Sequence, residues 1–111
     1  MTAILPWPRP FEEAVVTLGV KLLSVSGNYA VVHLDHRNFP ALAIQGDSLK
    51  ILQEAVEEFA ECWDGGDVDD ARYALAEVSE TIRGMLLVYQ EAAREQGFEL
   101  PYFPGGRPGR P

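Results

Sequence analysis

The sequence predicts an α+β fold, in which a three-stranded antiparallel meander is followed by two helices, the second one long, packed on one face of the sheet. Three observations support this prediction. Residues 14–35 alternate apolar and polar side chains around a Ser-Gly-Asn turn. The segment Gln45-Gly46-Asp47-Ser48 is typical of a junction between a strand and a helix. Beyond it, apolar residues recur at spacings of three and four, as they do along one side of a helix.

The first two strands are predicted from alternation and from turn residues. Within residues 14–25, one side of the first strand would be buried and would carry Val16, Leu18, Val20 and Leu22. Ser26-Gly27-Asn28 contains residues that tolerate a positive φ, so it predicts the turn to a second strand from Tyr29 to Asp35. A polar segment then leads into the third strand.

The third strand, within residues 38–44, has two different sides. Pro40 has no backbone N–H to donate, so it suits the start of a strand or an edge. Leu42 and Ile44 project to one side, whereas the other side carries small alanines. We expect the small side to lie under a closely packed helix or against a partner.

The first helix is predicted from Asp47 to Trp63, with Asp47 or Ser48 as the residue that caps it. Such a cap accepts a hydrogen bond from a free backbone N–H and contributes about 1 kcal/mol. Asp64-Gly65-Gly66 would end the helix. Its apolar stripe is expected to comprise Leu49, Leu52, Val56, Phe59 and Trp63, widened by Ile51, Ala55 and Cys62.

The second helix is predicted from Val68 to Gln96, with Gly84 as the position of any kink and Gly97 as the residue that ends it. Its apolar stripe comprises Ala71, Leu75, Val78, Ile82, Met85, Tyr89 and Ala92. A stripe sustained over four heptads is also typical of a helical hairpin or of a dimer interface. The apolar segment from Phe98 to Phe103 is expected to fold back on the core.

The chain is predicted to hold a single domain. Residues 1–13 form a proline-rich N-terminal arm, residues 14–103 form the α+β domain, and residues 104–111 form a flexible tail rich in Pro, Gly and Arg. With 111 residues there is room for one modest core. Because no apolar run reaches membrane-spanning length and no signal peptide is recognisable, we expect a cytoplasmic protein that does not associate with a membrane.

The net charge of −8 restricts the class of partner. Binding to nucleic acid phosphates needs clustered Lys and Arg, so nucleic acid is not expected as a partner, whereas a basic protein is. The charge is also unevenly distributed. One stretch contains eight acids and no basic residue: Glu54, Glu57, Glu58, Glu61, Asp64, Asp67, Asp69 and Asp70. It is either a solvated helix face or a docking surface for a positively charged protein.

Side chains with catalytic potential are few. His33 and His36 are the only histidines and would face opposite sides of a continuing strand, so no metal site is predicted. Cys62 is the single cysteine, which excludes an intrachain disulfide, and its place beside the apolar stripe predicts an unreactive thiol. No phosphate-binding loop or hydrolase motif is present. We therefore expect neither an enzyme nor a cofactor.

The third strand and the junction after it resemble the HicB-type antitoxin domain, which has a partial ribonuclease-H-like core. The matching residues are Asn28-Tyr29-Ala30-Val31-Val32, Phe39-Pro40-Ala41 and Gln45-Gly46-Asp47-Ser48-Leu49. The resemblance covers roughly residues 16 to 62. The whole chain, with its long second helix and its Leu100-Pro101-Tyr102 ending, also resembles a small bacterial family of unknown function that shares this core. The resemblance implies a binding protein and transfers no catalytic residue.

Together these features predict a non-catalytic domain, antitoxin-like or immunity-like, that neutralises a basic bacterial toxin through an acidic surface. The residues predicted to bind the partner are Gln45, Asp47, Glu54, Glu57, Glu58, Glu61 and Asp64. The alternative is an accessory or small-ligand-binding domain of unknown role that forms a homodimer through the long helix.

Overall fold

The computed structural model describes residues 19–105 and contains three strands followed by two helices. The elements are β1 (Val20–Ser26), β2 (Tyr29–Leu34), β3 (Ala41–Ile44), α1 (Gly46–Asp64) and α2 (Val68–Gln96). The predicted α+β fold class is therefore confirmed. The predicted N-terminal arm, residues 14–18 of the predicted first strand and residues 106–111 of the tail lie outside the described residues.

The sheet is an antiparallel meander in the order β1-β2-β3. Gly27 has a φ of 58° and forms the predicted turn between β1 and β2. The register of this pair shifts between Leu22 and Ser24, as in a β-bulge. Val20 and Leu22 are 59% and 60% exposed, so the prediction that their side of β1 is buried is wrong. The core instead lies on the side that carries Leu23, which packs against Val31 and against Tyr89 and Ala92 of the second helix.

In β3, the two sides again differ, but the small side is the free one. Ala41 and Ala43 are exposed, whereas Leu42 and Ile44 are half-buried and Leu42 packs against the core. The expectation that the small side lies under a helix of this chain is therefore wrong. Its contact with a partner stays a prediction.

The core lies where the second half of α2 crosses the sheet. Val31 at the centre of β2 is fully buried, and Tyr89 and Ala92 of α2 pack against it. The Tyr89 hydroxyl donates a buried hydrogen bond of 2.7 Å to the carbonyl oxygen of Pro40. This bond joins α2 to the start of β3 and satisfies a polar group that would be costly to bury alone.

The segment after α2 closes this core, as predicted. Gly97 has a φ of 80° and ends the helix, and the backbone N–H of Phe98 donates to the carbonyl oxygen of Ala93 at 2.9 Å. The Phe98 ring then lies 4.7 Å from the His33 ring, and Tyr102 stacks on Tyr89 with 6.3 Å between ring centroids. The chain thus folds back over the sheet end of α2.

The two helices begin differently. The prediction that Asp47 or Ser48 caps α1 is wrong, because the helix begins at Gly46 and Gln45 occupies the cap position without a side-chain hydrogen bond. Asp47 lies in the first turn, where its carboxylate accepts from the neighbouring N–H of Ser48. In contrast, Asp67 caps α2 by accepting from the backbone N–H of Asp70 at 3.1 Å.

The helices form an antiparallel hairpin around Gly65 and Gly66. α1 has 19 residues and α2 has 29, so they are about 28 Å and 43 Å long at 1.5 Å per residue. α1 packs along the first part of α2, and the excess length of α2 packs on all three strands. The predicted kink at Gly84 does not interrupt the helix. The hairpin consequently extends beyond the sheet, which leaves much of its surface uncovered.

Candidate binding surfaces of the helical hairpin

The apolar stripe predicted for α1 is divided by the packing. Leu52 and Phe59, together with Ala55 and Cys62, are half-buried, as expected for the side that faces α2. Leu49, Val56 and Trp63 are more exposed, and Trp63 reaches 57%. In the described structure α1 has no fully buried residue. A single helix packed against α1 is too narrow to cover an apolar arc of about 180°, so part of the stripe remains at the surface.

The stripe predicted for α2 is rotated slightly from the buried side. Ala71, Met85, Tyr89 and Ala92 are buried as predicted, but Ala74 and Ala93 are buried as well. Leu75 and Ile82 are 50% and 43% exposed, so their predicted burial is wrong. The small alanines allow α1 to approach closely, and this displaces the larger side chains to the margin of the contact.

One side of the hairpin carries an open groove between the helices, which we call the groove face. The groove has a volume of about 430 Å³ and is lined by Ile51, Leu52, Ala55, Tyr73, Ala76, Glu77, Glu80 and Thr81. Ile51 and Tyr73 are each 67% exposed. Two carboxylates of α2 line the groove. Glu80 forms an ion pair with Arg83 at 2.6 Å, and Glu77 is not part of that pair. The groove combines apolar side walls with negative charge.

The predicted partner-binding residues are all exposed, but they do not form one surface. Successive residues of a helix are 100° apart, so Asp47, Glu54 and Glu58 lie beside Ile51, on the groove side of α1. The same geometry places Glu61 within about 20° of Glu54 and directs Glu57 and Asp64 towards the outer side of α1. Gln45 precedes α1 and lines a separate depression of the sheet with Tyr29 and Ile44. The seven residues are therefore spread over more than one surface, and their contact with a partner stays a prediction.

The acids of α1 have no ion-pair partner within the described part of the chain. The ion pairs found there join Arg83 to Glu80 and Arg94 to Glu91, both on α2. Glu57 accepts a short hydrogen bond from the side-chain amide of Gln53, which leaves its charge in place. The negative charge of α1 is thus available to an approaching molecule.

Carboxylates crowd the tip of the hairpin and perturb two groups there. The pKa of Asp70 is raised by its hydrogen bond with the Asp67 side chain and by the charge on that residue. The pKa of the Cys62 thiol is raised by desolvation and then by the carboxylates of Asp70 and Asp67. Both shifts have the direction expected for groups whose charged form adds to a negative cluster. The thiolate of Cys62 is disfavoured at neutral pH.

The opposite side of the hairpin carries no charge along its centre, and we call it the charge-free face. It comprises Leu49, Val56 and Trp63 of α1 and Val68, Leu75 and Ile82 of α2, all classed as exposed. When each helix is viewed from its N-terminus, this row lies about 80° clockwise from the residues that contact the other helix. Because the helices are antiparallel, equal rotations bring both rows to the same side. The Trp63 ring lies 6.2 Å from that of Phe59, which fixes its position at one end.

The two histidines have separate surroundings. Nε2 of His33 donates to the carbonyl oxygen of Arg37 at 2.8 Å, and the ring packs on Phe98, so His33 supports the turn after β2. His36 is exposed in that turn and lines a depression with Phe39.

Within residues 19–105 no three His, Cys, Asp or Glu side chains are grouped as metal ligands would be. In the same residues no helix combines the length and the apolar character needed to cross a membrane.

Sequence reasoning missed Tyr73 and Glu77, which complete the groove face from α2. Both occupy positions outside the apolar stripe, where a charged or aromatic residue is ordinarily attributed to solvent exposure. An aromatic side chain on a polar helix face was the available signal, since exposed aromatics are enriched at interfaces.

The fold and its exposed surfaces define a small α+β domain whose helical hairpin presents two chemically different faces. The chain belongs to DUF6959, a family of unknown function, whose sequence profile matches residues 16–102. No curated protein and no solved structure matches the chain significantly. The resemblance to the HicB domain is therefore not tested by these comparisons.

Proposed function

We propose that this protein is a non-catalytic protein-binding domain, antitoxin-like or immunity-like, that neutralises a basic bacterial toxin in the cytoplasm. The observation that carries the proposal is the groove face. Ile51 and Tyr73 are largely exposed there, and Glu58 and Glu77 lie beside them without a described ion-pair partner. A basic amphipathic segment of a partner is complementary to this combination.

The two components of the groove face have different physical roles. Unpaired surface carboxylates on a chain with a net charge of −8 attract a basic protein over a distance comparable to the Debye length, about 8 Å at physiological ionic strength. Exposed aromatic and aliphatic side chains supply apolar area that is buried only when the partner docks. Charge thus governs the association rate, and Tyr73 and Ile51 govern the dissociation rate.

The sequence resemblance also supports a binding role. Gln45-Gly46-Asp47-Ser48-Leu49 is the segment on which the likeness to antitoxin domains depends, and it begins α1, which carries six acids and a single basic residue, Lys50. The junction therefore positions α1 relative to the sheet. In this proposal the partner contacts α1 and α2 and leaves the sheet core unchanged.

The test uses the purified chain and the basic protein encoded by an adjacent gene. Reversing two charges in the groove (Glu58→Lys with Glu77→Lys) is expected to lower the association rate constant by about 10- to 100-fold at low salt and to reduce its salt dependence. The matched control reverses two exposed acids at the sheet end, Glu95→Lys with Glu99→Lys, and changes net charge equally. It is expected to have a much smaller effect. Stopped-flow kinetics at several salt concentrations provide both quantities.

A second variant tests the contribution of direct apolar contact separately from that of electrostatic steering. Tyr73→Ala is expected to raise the dissociation rate and to leave the association rate nearly constant, because an exposed ring contributes after docking. Equal effects of the two charge-reversal pairs would place the partner elsewhere on the molecule. If the adjacent-gene protein neither binds the chain nor loses toxicity in its presence, the antitoxin proposal fails.

A further inference from the structure

The charge-free face is not used by the proposed toxin site, because it lies on the other side of the hairpin. We propose that this face binds a second copy of the chain, so that two hairpins pack as an antiparallel four-helix bundle. The inference is independent of the proposed function, since it rests on different residues and needs no toxin. Three properties of the face support it: its area, its periodicity and the charges at its margins.

The area is sufficient for a stable dimer. The six apolar side chains of the charge-free face expose on the order of 600 Å² per copy, at the top of the range for the largest apolar patch of a monomer. Two facing copies would cover about 1,200 Å², which is the lower limit of standard specific interfaces. A single exposed leucine needs no explanation, but two aligned rows of apolar side chains do.

The spacing of the rows fits helix-against-helix packing. In α1 the row is Leu49, Val56 and Trp63, and in α2 it is Val68, Leu75 and Ile82, so each row repeats every seven residues. Such a repeat returns to the same side of a helix about every 10.5 Å. Rows of this kind on a helical hairpin are the usual interior positions of a four-helix bundle, in which each helix contacts two neighbours.

The marginal charges select the orientation of the second copy. Beyond the apolar row, the acids nearest to it on α1 are Glu57 and Asp64, with Lys50 as the basic residue, so this margin is negative on balance. The margin of α2 carries Arg72 and Arg83. If α1 of one copy packs against α2 of the other, opposite charges meet, whereas packing α1 against α1 brings like charges together.

This orientation places both hairpin tips at the same end of the bundle. A two-fold axis parallel to the helices brings α1 opposite the partner's α2 and keeps every neighbouring pair of helices antiparallel. Asp64 is the last residue of α1, and Arg72 lies one turn after the start of α2. Each Asp64 is then within about one helical turn of an Arg72 of the second copy, which gives a specific pair to test.

The first experiment is analytical ultracentrifugation of the full chain over a range of concentrations. The expected result is a reversible dimer, with twice the 12.3 kDa mass of one chain. Leu75→Glu with Ile82→Glu is expected to raise the dimer Kd by at least about 100-fold, because it buries two unpaired charges at the centre of the interface. Far-ultraviolet circular dichroism establishes that this variant keeps its helices.

The matched control places the same charges on the groove face. Ile51→Glu with Tyr73→Glu changes two residues that are more exposed, one on each helix of the hairpin, and is expected to alter the dimer Kd by less than about threefold. A full chain that remains monomeric at high micromolar concentration overturns the proposal; in that case residues 1–18 of the same chain are the occupant to examine. A dimer that is weakened by the control and not by the charge-free-face variant overturns it equally.

The second experiment tests orientation by a charge exchange. Arg72→Glu and Asp64→Arg are each expected to weaken the dimer about two- to fivefold, and the two changes together are expected to restore it. If α1 instead packs against α1, Asp64 and Arg72 of the two copies are not neighbours, and the double variant dimerises no better than the single variants. That result would overturn the proposed orientation, whereas loss of the dimer in the Leu75 and Ile82 variant would still identify the face.

Discussion

The sheet end and the hairpin end of this molecule use their apolar residues differently. At the sheet end, Val31, Tyr89 and Ala92 are buried and the segment around Tyr102 closes the core. At the hairpin end, α1 contributes half-buried side chains, and apolar rows remain on the surface. Three strands and a helix can enclose a core, but two helices alone expose the outer sides of their apolar arcs. The difference indicates that the sheet end is stabilised by this chain and that the hairpin end is arranged for partners.

The largest expected contrast comes from truncating one aromatic side chain at each end. Tyr89→Ala removes a buried ring and its hydrogen bond to Pro40, so the free energy of unfolding is expected to fall by about 3–5 kcal/mol. Trp63→Ala removes an exposed ring and is expected to cost less than about 1 kcal/mol in the isolated chain.

Urea denaturation at low protein concentration measures both values without a contribution from association. Equal costs for the two substitutions would mean that Trp63 is buried by another part of the chain. A small cost at Tyr89 would contradict the placement of the core.

A smaller contrast is expected between two aspartates near helix N-termini. Asp67→Ala removes the cap of α2 and is expected to lower the free energy of unfolding by about 1 kcal/mol. Asp47 makes a hydrogen bond only to the adjacent Ser48 N–H and favours α1 mainly through the helix dipole, so Asp47→Ala is expected to cost about 0.3–0.5 kcal/mol.

The same denaturation series measures both changes. If Asp47→Ala costs as much as Asp67→Ala, Asp47 is a true cap and α1 starts two residues later than described. Asp67→Asn retains an acceptor for the Asp70 N–H and should recover most of the lost stability, which separates capping from charge.

The smallest expected effect concerns the rate of a reaction at the hairpin tip. Because desolvation and then the carboxylates of Asp70 and Asp67 raise the pKa of the Cys62 thiol, the reactive thiolate forms only at higher pH than in a free cysteine. The pH profile of alkylation by iodoacetamide is therefore expected to be displaced to higher pH. Asp70→Asn should shift the profile back towards lower pH.

Asp64→Asn removes a nearby charge that does not contribute to this shift, so it serves as the matched control. A profile that is unaffected by Asp70→Asn, or that lies below that of a free cysteine, would contradict the described surroundings of the thiol. Full protection of Cys62 at high protein concentration alone would indicate that association covers the tip.

Sequence patterns predicted the fold better than they predicted the surfaces. The bounds of α2, the Gly27 turn and the Gly97 cap were correct because each depends on local backbone preferences or on a long helical period. The buried side of β1 was wrong because it depends on which neighbouring element covers the strand. The groove residue Tyr73 was missed for the same reason. The cap of α1 was wrong because Gly46 is already helical, which moves the cap position back to Gln45.

By itself, the amino-acid sequence determined the order of the elements, their approximate ends, the negative charge of α1 and the apolar period of both helices. These properties are local, and they follow from side-chain spacing and backbone conformation. Tertiary structure decided which apolar residues are buried, and it placed some acids of α1 beside the groove face and others beyond the margin of the charge-free face. Burial depends on how many elements surround a residue, and for the hairpin only α1 and α2 are present to provide that cover.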